Sequence, residues 1–257
     1  MLIAGSLLSE GVGYGQETPV QNPSPVLVEL FTSEGCSTCP PADALLEQMD
    51  KQPIPGAQLI VMSEHVDYWD HGGWKDPYSS SSLTERQNAY VRTLGLKTAY
   101  TPQIIIDGLG ELQRGDPQRI NQLFLQVLAL GKVPVHIALV GAETPAVVRG
   151  RIEVDDTTDN RSADVYVAIA LDHAESKVSA GENVGKNLTH VAVVKELRRI
   201  AKVEKGKGVG QDFEFKLKSG SDPANARIIA FVQEAGPGKV LGAAVRVMKD
   251  RVTLDPH

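Results

Sequence analysis

The chain holds two cysteines, two residues apart in Cys36-Ser-Thr-Cys39 and followed at once by Pro40 and Pro41. A CxxC pair supports three chemistries: it can cycle between dithiol and disulfide, offer two thiolates to a soft metal, or staple a turn for good. The prolines bear on the choice. Proline lacks an N–H and fits the first turn of a helix, so Pro40 and Pro41 set a helix start around residues 37–39, with Thr38 as N-cap. Cys36 then lies just ahead of the helix and Cys39 in its first turn, where free N–H groups and the positive end of the helix dipole favour thiolate. In this arrangement Cys36 is the more exposed, attacking sulfur and Cys39 resolves the mixed disulfide. The Ser37 and Thr38 hydroxyls can stabilise a thiolate by hydrogen bonding, while Glu34 opposes it.

The other readings of the pair are weaker. A disulfide closing so short a loop gains little from chain entropy, which reaches ~3 kcal/mol only for a loop of about fifteen residues. A closed structural zinc site needs four ligands, and there is no third cysteine. An open site for copper or another soft metal, built from Cys36, Cys39 and His65, is the alternative, since Cu(I) accepts thiolates at low coordination number.

Two further stretches accompany the pair. Thr101-Pro102 opens an apolar run after a CxxC, a strand and a helix, the order in which thioredoxin-like domains carry a cis-proline beside their cysteines. Pro102 is therefore expected to be cis, and Thr101-Pro102 to offer backbone to a bound substrate segment. Residues 68–100 hold both tryptophans and four of the six tyrosines, which puts an aromatic rim beside the cysteines. Tyr100, Trp69, Trp74 and His65 are its candidate substrate contacts, although Trp69, Trp74 and Tyr78 can equally pack a long insertion. Asp67, Asp70 and Asp76 are expected to cap or face solvent, and Arg86 and Gln87 to pair with those acids. No organic cofactor is called for.

The elements that must position these residues follow from periodicity. PVLVELFTS is a buried strand leading into the cysteines, and ADALLEQMD a helix after them. AQLIVMSEHV is a second strand, SSSSLTERQNAYVRTLGL a helix ending at Gly95, and TPQIIIDGLGEL a strand with Asp107-Gly108 turning into a short fourth. DPQRINQLFLQVLAL is an amphipathic helix. Beyond Val133 come seven alternating segments with turns between them, which favours a β-sandwich. Charge changes at the same place: residues 1–131 carry 7 basic against 15 acidic side chains, and residues 132–257 carry 19 against 17. Three regions are expected: a leader remnant or linker (1–25), a compact α/β unit (26–131) and a β-rich unit (132–257).

The stretches VELFTSEGCSTCPPAD, HVDYWDHGGWKDPYSS, RQNAY, YTPQIIIDG and GENVGKNLTHVAVV together resemble an uncharacterised family of secreted proteins, domain of unknown function twelve twenty-three. The resemblance runs from Val26 nearly to the end. It implies an α/β thioredoxin-like N-terminal domain followed by an all-β, sandwich-like C-terminal domain, and export from the cytoplasm. It implies no substrate.

Composition sets outer limits. With 42% hydrophobic and 23% charged residues the chain can bury a large core. A net charge of −6, without a basic cluster, excludes a nucleic-acid binder. The apolar start Met1–Leu8, followed by a polar, Pro-containing stretch, reads as a weak or truncated export signal, and no run reaches the ~20 apolar residues of a membrane helix. The expectation is a periplasmic or secreted thiol–disulfide oxidoreductase whose partners are protein thiols, protein disulfides or a redox partner protein. GENVGKNLTH is expected to dock the second half on the first.

Overall fold

A computed structural model describes residues 23–112, 117–140, 147–156, 162–218 and 220–248; of the expected leader or linker (1–25), residues 1–22 lie outside them, while Ser24 and Pro25 already belong to the first strand. The first half contains the anticipated elements. Strand β1 (Ser24–Thr32) leads through the cysteines to helix α1 (Pro40–Lys51), then β2 (Ala57–His65) and α2 (Ser81–Thr93). Short strands β3 (Gln103–Ile106) and β4 (Gly110–Glu111) precede α3 (Pro117–Leu128). Asp107 and Gly108, with φ of 53° and 65°, make the tight turn between β3 and β4. A side chain at Gly108 would put its Cβ 2.0 Å from the Gly238 carbonyl oxygen, so glycine is required there twice over.

The second half supplies seven strands: β5 (Val135–Val140), β6 (Val147–Val154), β7 (Ala163–Lys177), β8 (Asn187–Val203), β9 (Val209–Lys216), β10 (Ala226–Glu234) and β11 (Val240–Val247). Their arrangement corrects the expected fold. Instead of a thioredoxin-like domain followed by a separate sandwich, one eight-stranded mixed sheet runs in the order β11-β10-β7-β8-β2-β1-β3-β4. Only β5, β6 and β9 form a second, three-stranded sheet. The join is β2 beside β8 in parallel, with Ser63 opposite Val193, so the expected units 26–131 and 132–257 share a sheet. Alternation shows which face of a strand is apolar, but it carries no information about the edge on which a strand pairs.

Each face of the large sheet is covered. Val26, Val28 and Leu30 of β1 pack with Leu46 of α1, Val127 of α3 and Val191 of β8. On the same side the three-stranded sheet covers the distal strands, with Phe213 and Phe215 against Val165, Val167 and Ile228. The other face carries α2, whose Leu83 packs on Leu27, Ile60 and Phe231.

A buried polar cluster interrupts that second face. Arg86 of α2 donates through Nε to Glu29 Oε1 at 2.6 Å and through Nη2 to Gln233 Oε1 at 3.1 Å, and Tyr90 donates to the same Glu29 carboxylate. Arg86 was expected to pair with the acids of residues 67–76; it spans β1 and β10 instead. Glu64 is fully buried, with Oε1 3.6 Å from Arg86 Nε, beyond hydrogen-bond reach. Burial, then the neighbouring Glu29, raises its pKa well above the ordinary range against the pull of Arg86, because one guanidinium cannot neutralise two carboxylates in a low dielectric.

A carboxyl whose folded pKa is raised contributes fully below its unfolded value, and that contribution is lost as pH rises through the folded value. Glu64→Gln should therefore be at least as stable as the wild type at pH 7. The margin between them should shrink as pH falls toward the ordinary carboxylate range, as read by urea unfolding across that window.

Candidate functional site

Cys36 and Cys39 are joined in a disulfide, with Cα atoms 5.4 Å apart. The helix begins at Pro40 with Cys39, not Thr38, at the N-cap position. Thr38 instead lies with its hydroxyl 3.4 Å from Cys36 Sγ. The turn is tightly held: the Cys36 N–H donates to the Ser33 carbonyl and the Cys39 N–H to that of Cys36. The Cys39 carbonyl in turn accepts from the N–H groups of Ala42 and Asp43. Both cysteines have no exposed surface, whereas Ser37 and Thr38 between them are exposed. The expectation that Cys36 is the exposed sulfur is thus corrected; the pair presents its intervening residues to solvent.

The second half of the chain closes over this turn. Asn183 is buried and its Nδ2 donates to the carbonyls of Glu34 and Cys36, at 2.8 and 2.9 Å. The Glu182 carboxylate accepts from the Ser37 N–H at 3.1 Å, and Lys186 Nζ donates to Asn183 Oδ1 at 2.8 Å. Gly181, at φ 74°, lets this loop pass Trp74; a Cβ there would lie 3.1 Å from the Trp74 Cβ. The GENVGKN stretch does dock on the first half, and its target is the cysteine turn.

Beneath the turn lies a second buried polar cluster. His190 of β8 sits between Glu34 and Asp43, with Nε2 3.3 Å from Glu34 Oε1 and Nδ1 3.7 Å from Asp43 Oδ1. Neither contact has hydrogen-bond geometry, and both ring nitrogens are otherwise without partners. Burial opposes a charge on this ring, but Asp43 and Glu34 outweigh it and push its pKa up to about 9. The rest of the cluster is bonded apart from Glu34 Oε1 and His65 Nε2, which are buried without a hydrogen-bond partner. Trp74 Nε1 donates to Glu34 Oε2, and the Thr32 hydroxyl to Asp43. The Asp76 carboxylate bonds His65 Nδ1 at 2.7 Å and accepts from the Glu34 N–H at 2.8 Å. Burial works against the Asp76 charge, yet His65 and these N–H donors hold its pKa below the usual value. The His65 ring stands edge-on to His190 at 4.7 Å.

The expected site residues therefore separate into two groups. Thr101–Pro102 is a cis peptide, and Pro102 lines a cavity of about 240 Å³ together with Thr38, Leu45 and Tyr100. Tyr100 is 41% exposed, so it is open to a ligand. Trp69 Nε1 donates to the Thr101 hydroxyl at 2.7 Å, which makes Trp69 a brace for the proline segment. Trp74 and His65 are spent inside the cluster. Asp67 accepts from the Thr84 hydroxyl of α2 and Asp70 from the Ser79 hydroxyl, and Gln87 binds the Tyr100 carbonyl and Gln103. Among the described residues no group of three or more His, Cys, Asp or Glu side chains is placed to hold a metal ion. Asp43 and His190 were not anticipated. The signal for them was weak: an acid one turn after Cys39, and a histidine in a stretch read as docking.

Comparison with known proteins agrees with the resemblance in sequence. The family described as protein of unknown function (DUF1223) matches residues 27–233. The chain belongs to that family. No curated protein matches it. Among solved structures it is similar to protein AGR_C_4864 from Agrobacterium tumefaciens, at 26% identity and TM-score 0.69, over 93% of this chain and 100% of that one. HBP35 of Porphyromonas gingivalis is similar at 16% identity and TM-score 0.67, over 89% of this chain and 76% of its own; that likeness speaks to fold alone. The solved structures speak to the fold, and the chemistry has to be argued from the cysteine turn.

Two outcomes follow. Asn183→Ala strands two buried carbonyls and should cost about 1–3 kcal/mol in denaturant unfolding; the disulfide of the variant should also be reduced faster by a small dithiol. His190 has a folded pKa raised from 6.5 to about 9. Its contribution is complete below 6.5 and lost as pH rises through about 9. The stability gap between wild type and His190→Gln should accordingly narrow across that window.

Proposed function

We propose that the protein is an extracytoplasmic thiol–disulfide oxidoreductase acting through Cys36 and Cys39. The observation that carries this reading is the disulfide's position at the N-terminal end of α1, beside the cavity at Tyr100 and Pro102. A staple needs no such address, whereas a redox pair gains from helix N–H groups that stabilise its thiolate form. A disulfide between Cys36 and Cys39 fits an oxidising compartment. Among the described residues no helix is long and apolar enough to cross a membrane.

In the proposed reaction a partner thiolate attacks Cys36 Sγ and forms a mixed disulfide. The old S–S bond breaks, and its electron pair leaves on Cys39 Sγ. The partner's second thiolate then displaces Cys36, so the partner dithiol is oxidised to a disulfide and the pair is reduced. The reverse sequence, starting from the reduced pair, reduces a partner disulfide. Since both sulfurs are covered at rest, attack requires the exposed Ser37–Thr38 turn to lift. The neighbouring cavity suits an apolar side chain of an extended polypeptide, with Thr101–Pro102 and Tyr100 as its contacts.

Cys39→Ser should accumulate a mixed disulfide with a protein or small-thiol partner, because the resolving sulfur is gone, and Cys36→Ser should form none. Mass spectrometry of the two variants after exposure to an oxidised thiol reads both results. A wild-type disulfide that survives a large excess of dithiol in the native state would instead mark a structural staple.

A further inference from the structure

The buried cluster under the cysteine turn is used by nothing in the fold that would require its charges. Glu34, Asp43, His65, Asp76 and His190 are all under 10% exposed. Stability alone does not account for them, since burying ionised groups costs more than burying apolar groups of like size. His190 is also imperfectly satisfied, with two ring nitrogens near carboxylates but bonded to neither. A buried polar group left in that state calls for an explanation.

Its location supplies one. Asp43 stands four residues after Cys39 on α1, a spacing that puts two side chains on one helix face about 5–6 Å apart, and its N–H is bonded to the Cys39 carbonyl at 3.1 Å. Glu34 stands two residues before Cys36, and a single Asn183 amide binds the carbonyls of both. His190 bridges these two acids from β8. We propose that His190, held between Glu34 and Asp43, is a positioning residue for the redox pair: its imidazolium stabilises the thiolate left on Cys39 when the disulfide is reduced, and the two carboxylates limit that effect. This rests on the redox reading above. In this step the electron pair of the broken S–S bond resides on Cys39 Sγ, at the N-cap of the helix that carries Asp43.

The groups that face His190 come from several elements. They are Glu34 from the cysteine loop, Asp43 from α1 and His65 from β2 with Asp76 behind it. Tyr78 lies with its ring 6.0 Å away, and Lys195 of β8 lies over Tyr78. Any pH profile reports this whole set. The decisive readout is therefore the sign of the change when one charge is removed at a time.

The test is the pH dependence of iodoacetamide labelling at Cys39 in the dithiol-reduced full chain, resolved by mass spectrometry. His190→Gln should move the Cys39 inflection to higher pH, because a neighbouring cation is lost. Asp43→Asn should move it to lower pH, because an opposing anion is lost. At a pH below both inflections the labelling rates of the two variants should differ by about tenfold. Should His190→Gln fail to fold, the wild type decides with Asp43→Asn: its Cys39 profile should show a second break near pH 9, where His190 deprotonates. A purely structural role would lower the melting temperature of both variants without splitting the inflections in opposite directions. Inflections that stay put or shift the same way overturn the inference while leaving the redox reading intact. A native disulfide that cannot be reduced overturns both.

Discussion

The placement of β8 beside β2 is the constraint on which the rest of this molecule depends. It makes one sheet out of two halves that differ in charge and in pattern. It also decides what lies over the cysteine turn, because the loop that enters β8 brings Asn183 and the strand itself brings His190. Without that pairing the disulfide would sit at an open strand end with its carbonyls in water. With it, the turn is bonded from outside by Asn183 and Glu182 and flanked from inside by a charged cluster.

Two polar clusters occupy the two faces of the large sheet, and their character differs. Around Arg86 the guanidinium bonds Glu29 and Gln233, stacks near the rings of Tyr90, Tyr166 and Phe231, and ties α2 to strands of both halves. Such a network fixes registry at a cost in desolvation, and the protonated state favoured at Glu64 is where that cost shows. Around His190 the bonding is looser and the cysteines are adjacent. A group held near opposite charges without good hydrogen bonds can respond electrostatically to a new charge close by, which a fully bonded network resists.

Full burial of a disulfide argued to react is reconciled by where the turn is weak. Ser37 and Thr38 are exposed, and the outer grip on them is one carboxylate–amide contact from an exposed glutamate, Glu182. Contacts of that kind are worth little in water, so opening the turn need not disturb the core beneath. Asn183, by contrast, is buried and holds the base of the loop. Access and anchoring thus fall to adjacent residues of one stretch.

Much of this was legible in the sequence because it is local physics. The prolines after Cys39 set the helix start to within two residues, since a missing N–H permits few positions. The Asp107-Gly108 turn and the eleven strand segments followed from turn chemistry and hydrophobic pattern, while the cis Thr101–Pro102 step was expected only from its likeness to the element order of thioredoxin-like domains. What the sequence could not decide was which strand pairs with which, because alternation marks faces and not edges. The expected two-domain division failed for that reason, and the exposure expected of Cys36 failed with it, since the covering loop arrives from 145 residues away. Arg86 was assigned to nearby acids, while tertiary packing gave it Glu29 and Gln233. The chemistry of the site is therefore shared: the chain dictated a cysteine pair at a helix start, and only the inserted strand β8 decided that the pair would be buried beside a histidine held between two acids.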